Sequence, residues 1–114
     1  GPLLFKDLQK EPLLNSSFYT SRHPRTVVGV KKNGLVLLIT IDGRSQESAG
    51  MTIAELQKIM LWFGCIDAIN LDGGGSTTMY IKNMSENGVV NHPSDNKKFD
   101  NYGERKVANS IIVF

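Results

Sequence analysis

The sequence predicts an α+β fold: a mixed β-sheet with an N-terminal β-hairpin, one right-handed β-α-β crossover and a closing C-terminal strand. Three observations predict it. Two valine- and leucine-rich runs flank Asn33-Gly34, and a capped amphipathic stretch starts at Thr52. A third apolar run then ends in Asp72-Gly73-Gly74-Gly75-Ser76. Strands on both sides of one helix must bury their shared apolar surface in a layered α/β arrangement.

Leu3, Leu4 and Phe5 suit a short strand, and Pro12, Asn15, Ser16 and Ser17 suit a loop, so residues 1–22 read as an N-terminal arm or linking segment. His23 precedes Pro24 and is pushed towards extended backbone. A strand follows over 25–32. Asn33-Gly34 favours a two-residue type I′ hairpin, which pairs Lys32 with Leu35 and, counting back, Arg25 with Asp42. The partner strand, 35–42, is almost continuously apolar and reads as a central strand covered on both faces. Thr52 and Glu55 form a capping box, and Ile53, Leu56, Ile59, Met60 and Phe63 fall on one helical face that Gly64 ends. Strands are expected over 66–72, 77–82 and 88–91, with polar irregular chain over 92–103 and a buried closing strand over 107–114. Met60, Trp62 and Phe63 read as core or subunit contacts.

Composition narrows the function. Thirteen basic and eleven acidic residues leave a net charge of +2, too balanced for a nucleic-acid or membrane-surface protein. The longest apolar run is far short of the roughly 20 residues that span a bilayer. Cys65 is the single cysteine, which excludes an internal disulfide and a cysteine-rich zinc site and makes it a small buried hydrophobe.

The chemistry gathers at one edge. If the strands ending at Asp42 and Asp72 run parallel, both carboxylates share a carboxyl-terminal edge, where ligands of open α/β sheets bind. The hairpin register brings Arg25 there too. The triple glycine permits backbone N–H groups to turn towards an anion. Each feature has a plainer reading: a tight turn for the glycines, a surface ion pair for Arg25 and Asp42, and solvated loop histidines for His23 and His92. Ser76 lacks the Gly-x-Ser-x-Gly setting of a nucleophile, and the glycines lack the Gly-Lys-Ser/Thr of a nucleotide loop.

Several segments together carry a resemblance. They are His23-Pro24-Arg25-Thr26, Ile41-Asp42-Gly43-Arg44, Gly50-Met51-Thr52, the stretch from Asp67 to Thr78 centred on Asp72-Gly73-Gly74-Gly75-Ser76, Asn91-His92-Pro93-Ser94-Asp95, and Glu104-Arg105-Lys106-Val107-Ala108-Asn109. In this order and spacing the chain resembles the phosphodiester glycosidase family. Nothing here matches the family's N-terminal half, so residues 23–114 resemble the C-terminal part of its domain. The missing half, or a second copy of the chain, is then the partner expected to complete it.

The resemblance implies hydrolysis of the glycosidic bond of a sugar-1-phosphodiester, and a secretory or extracytoplasmic setting. Glycoside cleavage uses a pair of carboxyl groups, so Asp72 is the first expected catalytic group, with Asp42 or Asp95 second. Arg25 or Arg105 would neutralise the phosphate. Gly73, Gly74 and Gly75, with Ser76 and Thr77, would bind phosphate or sugar oxygens. Thr26, Asn70, Asn91, Ser94 and Asn109 complete the expected substrate contacts. No cofactor is expected, and no metal-coordination motif is complete, though a divalent cation is left open. The competing reading is a non-catalytic glycan- or phosphate-binding module.

Overall fold

The computed structural model describes residues 1–114. Its elements are β1 (Leu3–Lys6), β2 (Gln9–Lys10), α1 (Ser17–Thr20), β3 (Arg25–Lys31), β4 (Val36–Ile41), α2 (Ile53–Trp62), β5 (Cys65–Asn70) and a 3₁₀ turn (Gly74–Ser76). The strands form one sheet in the order β2-β1-β5-β3-β4. Every strand pairing in it is antiparallel, which corrects the expected mixed sheet. β4 and β5 nevertheless point the same way, because each lies antiparallel to β3 between them. Helix α2 connects them, and their carboxyl ends share one edge.

The hairpin register differs from expectation by one residue. Arg25 pairs with Ile41, not Asp42, and Val30 with Val36. The loop has three residues, because Gly34 N–H donates to Lys31 O and Lys31 N–H to Leu35 O. Gly34 takes φ +85° while Asn33 stays at negative φ. This is a type I turn closed by a left-handed glycine, whereas type I′ needs positive φ at both central residues. A one-residue slip moves a side chain to the other face of its sheet. Arg25, two residues from the core residue Val27, lies on the α2 side, and Asp42, one residue beyond Ile41, does not share that face.

On the helix side, Val27, Ala68, Cys65, Leu4 and Phe5 pack against Ile53, Leu56 and Met60 in one core. Gly29 lies under the Met60 methyl and Cys65 Sγ, which a Cβ there would displace. Leu4 and Phe5 are fully buried, and β1 pairs with β5. Residues 1–22, expected as an arm or linking segment, thus supply two strands, a short helix and part of the core. Burying the phenyl ring and leucine side chain contributes roughly 1.5–3 kcal/mol each.

The opposite face is open. Leu3, Val28, Val30 and Ile69 line a shallow groove of about 170 Å³, and Val36 and Leu38 beside it are exposed. β4 is an edge strand, so its apolar run is not that of a central strand covered on both sides. Three further expected strands do not form in full. Residues 77–82 and 88–91 meet in a single antiparallel bridge, Tyr80–Val89, with Ile81 N–H donating to Gly88 O and Val90 N–H to Met79 O, and 107–114 is exposed and unpaired. β-propensity expresses fit to a half-buried pleated surface, and the tail meets none. Trp62 is 80% exposed, while Met60 is core.

The capping box of α2 forms as expected. Glu55 N–H donates to Thr52 Oγ1 at 3.1 Å, and Thr52 N–H to Glu55 Oε2 at 2.9 Å. Arg22 also donates to Glu55 at 2.5 Å. These donors, Arg22 foremost, lower the Glu55 carboxyl to about 2, against about 4.3 unfolded. A depressed folded value adds stability above about pH 4.3 that is lost as the pH falls towards 2. In urea titrations across this range, the stability advantage of the native chain over Glu55→Gln should shrink steadily and vanish near pH 2. A constant difference would show that the carboxylate charge plays no part.

Candidate active site

The carboxyl edge of the sheet opens into a cleft of about 290 Å³ lined by Ser17, Phe18, His23, Arg25, Arg44, Asp72, Gly73 and Gly74. It is largely polar, with three basic side chains and one carboxylate.

Arg25 forms the floor. It is 1% exposed. Its Nε donates to Met51 O at 2.8 Å, and its Nη2 to Phe18 O at 2.7 Å and Ser21 O at 3.1 Å. The guanidinium carbon lies 4.8 Å from the centre of the Phe18 ring. All its protein partners are neutral carbonyls, so a full positive charge sits beneath the cleft with no carboxylate against it, and burial lowers its pKa. The expected Arg25–Asp42 pair does not form, a direct result of the register.

The triple glycine is a site of close approach. A Cβ on Gly73 would lie 2.7 Å from Pro24 O, one on Gly74 3.0 Å from Arg44 Nη2, and one on Gly75 2.1 Å from both Arg105 Nη2 and Asp95 Oδ1. Three glycines therefore admit three different neighbours. The expected anion nest is largely closed: Gly73 N–H donates to Asp72 Oδ1 at 3.0 Å, and Gly74 N–H to Pro24 O at 2.9 Å. Asp72 is exposed in the cleft, holds that single hydrogen bond and has no ion-pair partner.

The other two carboxylates are engaged. Asp95 accepts both arms of the Arg105 fork, from Nε at 2.6 Å and Nη2 at 2.5 Å. That pairing lowers the Asp95 pKa and raises that of Arg105. Asp42 holds His92, accepting from its backbone N–H at 2.9 Å and meeting Nδ1 at 2.7 Å. Asn91 Nδ2 donates to Asp42 Oδ1 at 3.1 Å and to Thr77 O at 2.9 Å, while its own Oδ1 accepts from Met79 N–H. Thr77 Oγ1 lies 3.4 Å from Thr26 Oγ1. Asp42, Asn91, Thr77 and Thr26 thus tie the loop after the glycine turn to the sheet. His92 stacks on Phe99 with centroids 3.8 Å apart, so it is not the solvated loop histidine expected.

Asn70 is buried, with Nδ2 donating to Leu71 O and Oδ1 unpartnered. The Ser94 hydroxyl is likewise buried and unpartnered. Ser76 closes the 3₁₀ turn through its N–H to Gly73 O. Asn109 lies exposed on the unpaired tail. Sequence reasoning missed Arg44, His23 and Phe18 as cleft residues. Arg44 carried one signal, its place two residues beyond Asp42 at the edge already singled out. Phe18 carried none, since only the folded chain brings residues 17–21 over Arg25.

Comparison with known proteins places the chain among phosphodiester glycosidases. A family model of that description matches residues 1–114. The SPbeta prophage-derived uncharacterized protein YomE of Bacillus subtilis is 41% identical over 70 residues, 57% of this chain and 11% of that protein. Human N-acetylglucosamine-1-phosphodiester alpha-N-acetylglucosaminidase is 32% identical over 80 residues, 70% of this chain and 15% of that one. The solved catalytic domain of the zebrafish enzyme of the same name superposes with a TM-score of 0.65 at 25% identity, covering 81% of this chain and 33% of that one. The chain spans about a tenth to a third of these relatives.

Proposed function

The chain belongs to the phosphodiester glycosidase family, and from that membership we propose that it hydrolyses the glycosidic bond of a sugar-1-phosphodiester to free sugar and phosphomonoester. One observation carries the reading: Asp72, the unpaired carboxylate, opens into a cleft whose other charged groups are the guanidiniums of Arg25 and Arg44. An anionic phosphodiester is drawn to those cations, and its sugar carbon is then presented to a carboxylate.

In this reading Asp72 takes a proton from water as the water oxygen bonds to C1. The C1–O bond breaks, and its electron pair leaves with the phosphomonoester. A phosphomonoester has a second pKa near 6, so it departs with little proton donation, and one free carboxylate suffices. Asp95 and Asp42, the other proposed carboxylates, act by fixing Arg105 over the glycine turn and by holding His92. The open sheet face supports a partner as well: an apolar layer from the remainder of such a domain would cover Leu3, Val28, Val30, Leu38 and Ile69.

The test is hydrolysis of an N-acetylglucosamine-1-phosphodiester in ¹⁸O-labelled water. Label in the sugar hydroxyl, with none in phosphate, is the expected result. Label in phosphate would mean P–O cleavage and would remove the glycosidase reading. The engagement of Asp42 and Asp95 favours a second reading, a phosphate- or glycan-binding module, which would give saturable binding with no product.

A further inference from the structure

We infer that Arg44 is the residue that grips the phosphate group of the ligand, and that its backbone is held in a disfavoured conformation for this purpose. Three arginines stand at the site, and two already direct Nε and Nη2 to partners within the chain. Arg25 is 1% exposed and directs Nε and Nη2 to three main-chain carbonyls. Arg105 gives its fork to Asp95. Arg44 is exposed, lines the cleft, and makes no hydrogen bond or ion pair within the chain. A planar fork of this kind binds two oxygens of a phosphate at once, which an ammonium cannot do.

Its position is fixed by the loop beneath it. Arg44 takes φ +59°, a left-handed conformation that residues with a Cβ avoid. The loop keeps it there. Ser48 Oγ donates to Asp42 O at 2.7 Å, Ser48 N–H to Ser45 Oγ at 3.0 Å, and Ser45 N–H to Ser48 O at 3.2 Å. Gly74 gives the guanidinium room, since a Cβ there would come within 3.0 Å of Nη2. The buried Arg25 charge adds positive potential to the same cleft, which Asp72 also lines. A glycine at position 44 would relieve the backbone, and of the five non-glycine residues with positive φ Arg44 alone lines the cleft.

This assignment rests on the phosphodiester reading only for the choice of anion, and its test needs no turnover. Inorganic phosphate is titrated into the chain by calorimetry, with Arg44→Gly, Arg44→Lys and, as a control outside the cleft, Arg22→Gln. Charged hydrogen bonds of this class imply phosphate binding about 10- to 100-fold weaker in Arg44→Gly. The same variant should melt at or above the temperature of the native chain. Arg44→Lys should recover only part of the affinity, and Arg22→Gln should bind normally. Phosphate binding within twofold of native in Arg44→Gly would overturn the inference, as would a native chain that binds no phosphate. Arg44-dependent binding with no hydrolysis of any glycosyl phosphodiester would keep the inference and remove the hydrolase reading.

Discussion

Asp72→Asn should lower turnover of a glycosyl-1-phosphodiester about 10²- to 10⁴-fold, the range over which a positioned general base acts, while leaving the fold unchanged. The second half of that expectation follows from geometry. Asp72 is exposed and makes one hydrogen bond, accepting from Gly73 N–H through Oδ1, an interaction that an asparagine Oδ1 reproduces. Steady-state kinetics with circular dichroism and a melting curve check both halves. A loss confined to kcat, with KM little altered, identifies a group acting in the transition state rather than in ground-state binding. Full activity in Asp72→Asn would remove Asp72 as the base.

Gly50→Ala should destabilise the chain by about 3 kcal/mol or more, against a total of about 5–15 kcal/mol for a domain. Gly50 has φ +86°, and a Cβ there would lie 2.4 Å from His23 O and 2.5 Å from His23 C. His23 and Met51 bridge at this point, with Met51 N–H donating to His23 O at 3.0 Å. Met51 O accepts Arg25 Nε. The methyl would therefore push apart the strap that anchors Arg25 and hence the floor of the cleft. Gly34→Ala is the control. Its φ is +85° with nothing within 4 Å of the new methyl, so it reports the conformational part alone, about 1 kcal/mol. Urea unfolding of both variants separates the two contributions. Equal losses would mean that contact with His23 contributes nothing.

Helix α2 was legible because its signals are local. Thr52 and Glu55 cap within one turn, the apolar face repeats at helical spacing, and Gly64 takes φ +82° just beyond the end. The hairpin was legible as an element but not in its register. Asn33-Gly34 marks a turn, yet two- and three-residue loops fit the same letters, and one residue decides whether Arg25 and Asp42 share a face. The strands expected over 77–82 and 88–91 shrink to one antiparallel bridge, and over 107–114 apolar composition was misread as pairing.

The sequence by itself determined that Asp72 and the triple glycine stand at the carboxyl edge of the sheet, because strand direction and a single connecting helix constrain where strand ends can lie. It also determined the family, because a motif series in fixed order is a property of the letters. Only the tertiary structure decided which charges are free. Arg25 turned inward to Met51, Phe18 and Ser21, Asp42 took His92, and Asp95 took Arg105. Two of those pairings, Arg25 with Met51 and Asp42 with His92, join residues far apart in the chain, and no local spacing encodes them. What remained unpaired at the cleft was Asp72 and Arg44, which line it together with Gly74. The physical reason is register and close approach: which side chain meets which is set at the scale of one residue of slip and one absent methyl.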